Sequence, residues 1–248
     1  VRHVAPPPMR PTESWVSGAP PACKDAVEMT VPGSTRHSPG DDATLSSALR
    51  SLAPDGIEVR CRAITEADIE DLHPREAELV ERAISRRRSE FASGRVLLRS
   101  MLDTRNPIPR QPNGAPQLPA DAKGSLAHDN DWVVAAITRR SDVAALGIDI
   151  EPDGVLTRDE QELIVSPDDQ IDDPLLTFVQ KEAVYKAWSS LGGRFLDHHE
   201  VVIRSGPGTF SGTVTPERRV FNGRHDIVGG RRMALVVAFA DEMPQAAG

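Results

Sequence analysis

The stretch Leu146-Gly147-Ile148-Asp149-Ile150-Glu151-Pro152 alternates apolar residues with two carboxylates. A strand's period of two puts Asp149 and Glu151 on one face and turns Ile148 and Ile150 to the other. The pattern predicts a strand with a buried side and an acidic side. Carboxylates spaced i, i+2 repel each other, so the arrangement is costly unless a cation lies between them or both are well solvated. A divalent metal is the natural occupant. The plainer reading, an exposed strand that happens to carry two acids, stays open on this heptapeptide alone.

Toward the N-terminus, residues 132–138 form a near-continuous apolar run, separated from this strand only by the polar turn 139–142. The two are expected to be neighbours in one sheet. Ahead of them stands Gly124-Ser125-Leu126-Ala127-His128. A lone histidine is more often structural than functional, but one beside a Gly-Ser turn at a strand end can hold a phosphate. Residues 104–121 are turn chemistry, with Pro107, Pro109, Pro112, Asn113-Gly114, Pro116 and Pro119. Before that, a single long helix is expected over 74–101, with Gly94 its one weak point. Its middle carries Arg86, Arg87, Arg88 and Arg95. A solvated basic face is the common fate of such a run, yet Arg88 and Arg95, seven apart, share a helix face. A strand is expected over 56–63, and order from about residue 45. Residues 1–44 are rich in proline and lack an apolar period, so they read as a disordered tail, with His3 and His37 as solvated bystanders.

Toward the C-terminus, a helix is expected over 157–165 with Thr157 as its N-cap, then a Pro- and Asp-rich loop over 166–174. A second helix over 175–188 has a buried stripe of Leu175, Phe178, Val179, Tyr185 and Trp188. Glu182 and Lys186 stand one turn apart on it, an i, i+4 pair that would contribute only about 0.3–0.5 kcal/mol if it is nothing more. Strands are expected over 200–204, 209–215 and 233–239, with Gly- and Arg-rich turns between them and frayed final residues.

Composition narrows the function classes. The 248 residues are 39% apolar and 27% charged, an ordinary globular balance. Aromatics are only 4%, which disfavours a base-stacking platform, and the formal charge of -8 disfavours generic binding to a nucleic-acid backbone. Cys23 and Cys61 form no metal or redox spacing and suit reduced thiols. No run is long enough for a membrane span and no signal-like segment opens the chain. These features lead us to expect a cytoplasmic monomer that binds neither membrane nor nucleic acid.

Four motifs now stand in order: Arg87-Arg88-x-Glu90-Phe91-x-x-Gly94-Arg95, Gly124-Ser125-Leu126-x-His128, Gly147-Ile148-Asp149-Ile150-Glu151-Pro152 and Lys181-Glu182-Ala183-x-Tyr185-Lys186. Together they resemble the 4′-phosphopantetheinyl transferases, specifically the longer type that activates surfactin and enterobactin synthetases, over roughly residues 80–190. The resemblance implies an α+β fold, a pseudo-dimer of two similar α+β halves, here 45–145 and 146–243. It implies transfer of the phosphopantetheine arm of coenzyme A to a serine of an apo acyl or peptidyl carrier protein, with release of adenosine 3′,5′-bisphosphate. Carried over by motif, Asp149, Glu151 and Glu182 are the ligands of Mg²⁺, with Mn²⁺ as a substitute. Such hard carboxylate oxygens suit a cation that bridges substrate phosphates. Glu182 is also the expected base for the serine hydroxyl, Lys181 and Lys186 the phosphate partners, and Arg87, Arg88, Arg95, Ser125 and His128 the coenzyme A contacts. The chain departs from the family pattern at Asn113 (often Lys), Leu118 (often Trp) and Asp129 (often Ser or Cys), which bears on the adenine side rather than the metal site. The competing class is a metal-dependent phosphohydrolase or nuclease using the same three acids. The chain lacks the second acidic cluster of two-metal nucleases. A silent binding module would need Asp149, Glu151, Glu182 and Lys186 all to be accidental.

Overall fold

The computed structural model describes residues 39–170 and 173–242, and the expected tail lies outside them up to residue 38. Helix α1, Pro39–Leu52, crosses the boundary expected at 44/45 and leads to strand β1, Glu58–Ala63. Helix α2, Pro74–Ala77, and helix α3, Ser85–Leu102, follow, and then strands β2, Lys123–His128, and β3, Trp132–Thr138. Next come β4, Val143–Pro152, α4, Arg158–Ile164, and α5, Pro174–Ser190. Strands β5, Val201–Gly206, β6, Thr209–Val214, β7, Arg219–Val228, and β8, Arg231–Phe239, complete the order.

The strands form two antiparallel sheets, β1-β3-β2 and β4-β8-β7-β6-β5, so the class is α+β as expected. Strand β3 is buried at every position because it faces apolar matter on both sides. Val133, Ala135 and Ile137 pack under Leu98 and Met101 of α3. Trp132, Val134 and Ala136 turn the other way, into a central core shared with Leu45, Leu49 and Leu52 of α1 and with Ile148, Ile150 and Leu235 of the second sheet. The far face of that second sheet is covered by α5 through Phe178, Val179, Ala183 and Val184. Burying one such aliphatic side chain contributes about 1.5–3 kcal/mol. The alternation at 146–152 therefore points two isoleucines into the central core and two carboxylates toward α5.

Three expectations are corrected. Strands β3 and β4 are not sheet neighbours: β4 pairs with β8 across the second sheet, Ile148 opposite Leu235. Turn 139–142 instead carries the chain from one sheet to the other, pinned where Ala240 N donates to Asp142 O at 2.8 Å. The helix expected over 74–101 is broken. Buried Glu76 accepts from His73 N at 3.0 Å, closing a capping box, and also from Ile108 N at 2.8 Å and from Arg99. That polar knot holds α2 as a single turn, and Ile84 is extended, with ψ 156°, before α3 restarts. The arginine run thus opens α3 rather than standing mid-helix. Strand β7 lies where turns are expected, because Asn222, Gly223 and Arg224 interrupt any apolar period, yet it pairs on both edges. Thr157 is the N-cap of α4, as expected, accepting from Glu160 N. Among the described residues no helix is long and apolar enough to cross a membrane.

Candidate active site between β4 and α5

Gly147 lets α5 lie directly on β4. A Cβ there would sit 2.9 Å from the carbonyl carbon of Ala183 and from Ala187 N, and closer still to the Ala183 oxygen. The contact is backbone to backbone, so no side chain can move aside. Two residues further along the same strand face, Asp149 is wholly buried and Glu151 is 6% exposed. One residue before Ala183 on the helix, Glu182 is 3% exposed. This burial removes the reading of an exposed strand with two incidental acids.

The neighbouring charges are arranged with care for geometry. Lys186 Nζ donates to Asp149 Oδ1 at 2.6 Å and to the Ile148 carbonyl at 3.0 Å. Glu182 Oε1 lies 3.3 Å from His198 Nε2. The simple i, i+4 pair between Glu182 and Lys186 therefore does not form; each turns to a different partner. Three buried carboxylates thus stand on two packed elements, and low-dielectric surroundings make buried charge costly unless it is compensated. Their hard oxygens on two rigid elements fit a divalent cation such as Mg²⁺ by donor chemistry. As placed, no three His, Cys, Asp or Glu side chains among the described residues converge closely enough to hold an ion. A small cleft opens beside Glu182, lined by Tyr185, Asp197 and His198.

A second cluster joins the start of α3 to the end of β2. Arg87 Nη1 lies 3.2 Å from His128 Nε2 and donates to Glu90 Oε2 at 3.2 Å, while Arg86 Nε donates to Glu90 Oε1 at 3.0 Å. Three arginines in the first turn, Arg86, Arg87 and Arg88, oppose the helix dipole, and buried Glu90 offsets two of them. Arg88 is half-buried, and its Nε has no partner among the described residues. The Ser125 hydroxyl accepts from Ile148 N at 3.1 Å, tying β2 to β4 next to Asp149. Arg87 and His128, both expected as coenzyme A contacts, stand side by side, and Ser125 links the strand of His128 to the acidic one.

Two expected contacts are redirected into the fold. Arg95 is 3% exposed and donates to the Ile108 carbonyl at 2.8 Å, its guanidinium 4.2 Å above the Phe91 ring. Burial lowers its pKa to about 10 against the opposing pull of Glu76. Lys181 is 1% exposed, and its ammonium meets Asp169 at 2.7 Å, the Ile164 carbonyl at 2.8 Å and the His198 carbonyl at 2.9 Å. Three acceptors exhaust its three N–H groups. Burial pushes its pKa down, opposed by Asp169. Lys181 has no donor left for a phosphate, and Arg95 is turned away from solvent.

Of the departures from the family pattern, Asp129 is structural: it accepts from Asp131 N and Trp132 N at 2.7 and 2.6 Å and pairs with Arg231 at 2.7 Å. Leu118 packs at the edge of the α3 core. Asn113 Nδ2 donates to Ser189 Oγ at 3.1 Å, joining the 104–121 loop to the end of α5. The residue that sequence reading missed is His198, in a 3₁₀ turn 16 positions beyond Glu182. Only its place before a strand could have drawn notice.

Comparison with known proteins gives relatives of a single family. The family described as the 4′-phosphopantetheinyl transferase N-terminal domain matches residues 75–138, the segment from α2 through β3. The chain is 35% identical over 178 residues to the 4′-phosphopantetheinyl transferase Svp of Streptomyces mobaraensis, covering 65% of this chain and 70% of that protein. It is 34% identical over 144 residues to the 4′-phosphopantetheinyl transferase PptT of Mycobacterium tuberculosis, covering 52% and 63%. A third relative, the 4′-phosphopantetheinyl transferase Npt of Nocardia iowensis, is 32% identical over 165 residues, covering 57% and 74%.

Proposed function

The chain belongs to the 4′-phosphopantetheinyl transferases, and from that premise we propose that it moves the phosphopantetheine arm of coenzyme A to a serine of an apo acyl or peptidyl carrier protein. Adenosine 3′,5′-bisphosphate is the leaving product. The observation that carries this reading is the buried apposition of β4 and α5, with Lys186 on Asp149 and Glu182 opening on a cleft.

Asp149, Glu151 and Glu182 would hold Mg²⁺ or Mn²⁺. When bound, such a cation supplies positive charge against the pyrophosphate of coenzyme A. The rest follows from side chains. Lys186 spends two N–H groups on Ile148 and Asp149, which leaves the third for a phosphate oxygen. Its ammonium is held on a rigid strand, so little reorganisation is needed as charge develops on the leaving group. Glu182 accepts the proton of the serine hydroxyl, a role that needs a carboxylate within hydrogen-bond reach of the nucleophile. Arg87, beside His128, and its chain neighbour Arg88 would offer a cationic seat for the 3′-phosphate of coenzyme A. The phosphohydrolase reading gains no support, because every relative named above is a transferase.

The test is release of adenosine 3′,5′-bisphosphate from coenzyme A when apo carrier protein is added. Release should need the carrier and Mg²⁺, and Asp149→Ala should abolish it while the protein stays folded. Equal release without carrier would make the enzyme a hydrolase. Full release in strong chelator would remove the cation assignment.

A further inference from the structure

We infer that His198 is the positioning residue for Glu182, setting which carboxylate oxygen faces the reaction. The inference rests on the proposed roles of Glu182 as base and cation ligand.

His198 belongs to a 3₁₀ turn, His198–Glu200, that the protein fixes at several points. Asp197 accepts from His199 N at 2.9 Å and Glu200 accepts from Asp197 N at 2.9 Å, closing a capping box. Arg194 holds Glu200 in turn at 2.6 Å. The turn is then fastened to α5 by three consecutive contacts. The His198 ring tilts against Phe178 with centroids 5.6 Å apart, its carbonyl accepts from Lys181 Nζ at 2.9 Å, and its Nε2 reaches Glu182 Oε1 at 3.3 Å. Phe178, Lys181 and Glu182 sit at i, i+3 and i+4, one face of the helix. The redirected Lys181 thus has a purpose: it anchors the backbone of the residue that touches Glu182.

Lys186 is turned to Asp149, so it does not steady Glu182. Among the described residues His198 is the only hydrogen-bond partner of the Glu182 carboxylate. A neutral imidazole with its proton on Nε2 donates to Oε1 and leaves Oε2 for a cation or a hydroxyl proton. No change of protonation is required. Both side chains are largely buried, at 14% and 3% exposed, so the bond is shielded from water. Partners of this kind orient a ligand, and their loss typically costs about 10–100-fold in affinity or activity.

The test uses the full chain with His198→Phe, which keeps a ring against Phe178 but has no donor, and His198→Gln, whose amide nitrogen can take the place of Nε2. Mn²⁺ binding in the presence of coenzyme A is followed by the resonance signal of free Mn²⁺, beside single-turnover transfer and melting. His198→Phe should melt like the native protein, bind Mn²⁺ about 10–100-fold more weakly and transfer more slowly by a similar factor. His198→Gln should recover most of both. In a Glu182→Gln background, His198→Phe should cost nothing further. Native Mn²⁺ affinity in His198→Phe overturns the inference, as does an undiminished effect in the Glu182→Gln background. If both His198 variants lose their melt together, the residue is structural and the inference falls. Native transfer by Glu182→Gln alone would instead overturn the base assignment, leaving the Mn²⁺ measurement to judge His198.

Discussion

Replacing Gly147 with alanine should damage stability and transfer together, because one methyl group would wedge β4 away from α5. The added Cβ would lie 2.9 Å from the Ala183 carbonyl carbon and Ala187 N, where ordinary contacts begin at 3.4 Å, and the Ala183 oxygen lies nearer still. Relieving the oxygen contact takes the helix back by about 1 Å, since none of the atoms met belongs to a flexible side chain. Overpacking of this kind costs about 1–3 kcal/mol. The displaced helix carries Glu182 and Lys186, and a misplacement of about 1 Å costs on the order of 100-fold in rate. Gly147 has no positive φ, so the effect is steric and not conformational. Urea unfolding reads the first quantity and carrier transfer at saturating coenzyme A reads the second. A Gly147→Ala protein with native midpoint and native transfer would refute the claim that this contact sets the distance between the acidic strand and α5. Lost stability with intact rate would mean that the site tolerates the shift.

Lys181→Met should destabilise the fold by about 3–5 kcal/mol, because Asp169 would stay buried without its cation. Coenzyme A affinity should change little, and weakened affinity with a native melt would restore the phosphate-contact reading. Leu49→Ala should cost about 2–5 kcal/mol by denaturation, since Leu49 is fully buried where α1 meets both sheets; a negligible loss would mean that α1 is peripheral. Burial lowers the pKa of His225 below its ordinary 6.5, opposed by Asp226. The unfolded chain therefore takes up this proton first as pH falls. The stability contributed by keeping the ring neutral is present above pH 6.5 and lost as pH drops through and below it. Urea midpoints between pH 7.5 and 5.5 should fall less steeply in His225→Asn than in the native protein, and equal slopes would contradict the shift.

The alternation at 146–152 was enough to place β4 and the direction of each side chain, because a strand's period leaves no freedom once one face is buried. It could not say what covers the acidic face. That depends on Gly147 meeting the backbone of Ala183, 36 residues on, and the pattern contains no trace of it. The break in the 74–101 helix was hidden for the same reason, since Glu76 is held by Ile108 N and Arg99 from beyond α2. Lys181 and Lys186 illustrate a signal that was present. Five residues at about 100° each place them on different helix faces, so they could not both serve one phosphate. Lys186 points to Asp149 and Lys181 into the fold toward Asp169. Arg88 and Arg95 do share a face, but α3 sinks between them, and a periodicity does not report depth. His198 reaches Glu182 through a loop whose path no local preference encodes.

The most direct test of the account is the intact mass of an apo carrier protein after incubation with this enzyme, coenzyme A and Mg²⁺. The account predicts a gain of one phosphopantetheinyl group. It should be absent when the carrier serine is alanine, reduced by about 100-fold or more in rate with Glu182→Gln, and still measurable with Glu182→Asp. An unmodified carrier, or one modified equally well by the Glu182→Gln enzyme, would contradict it.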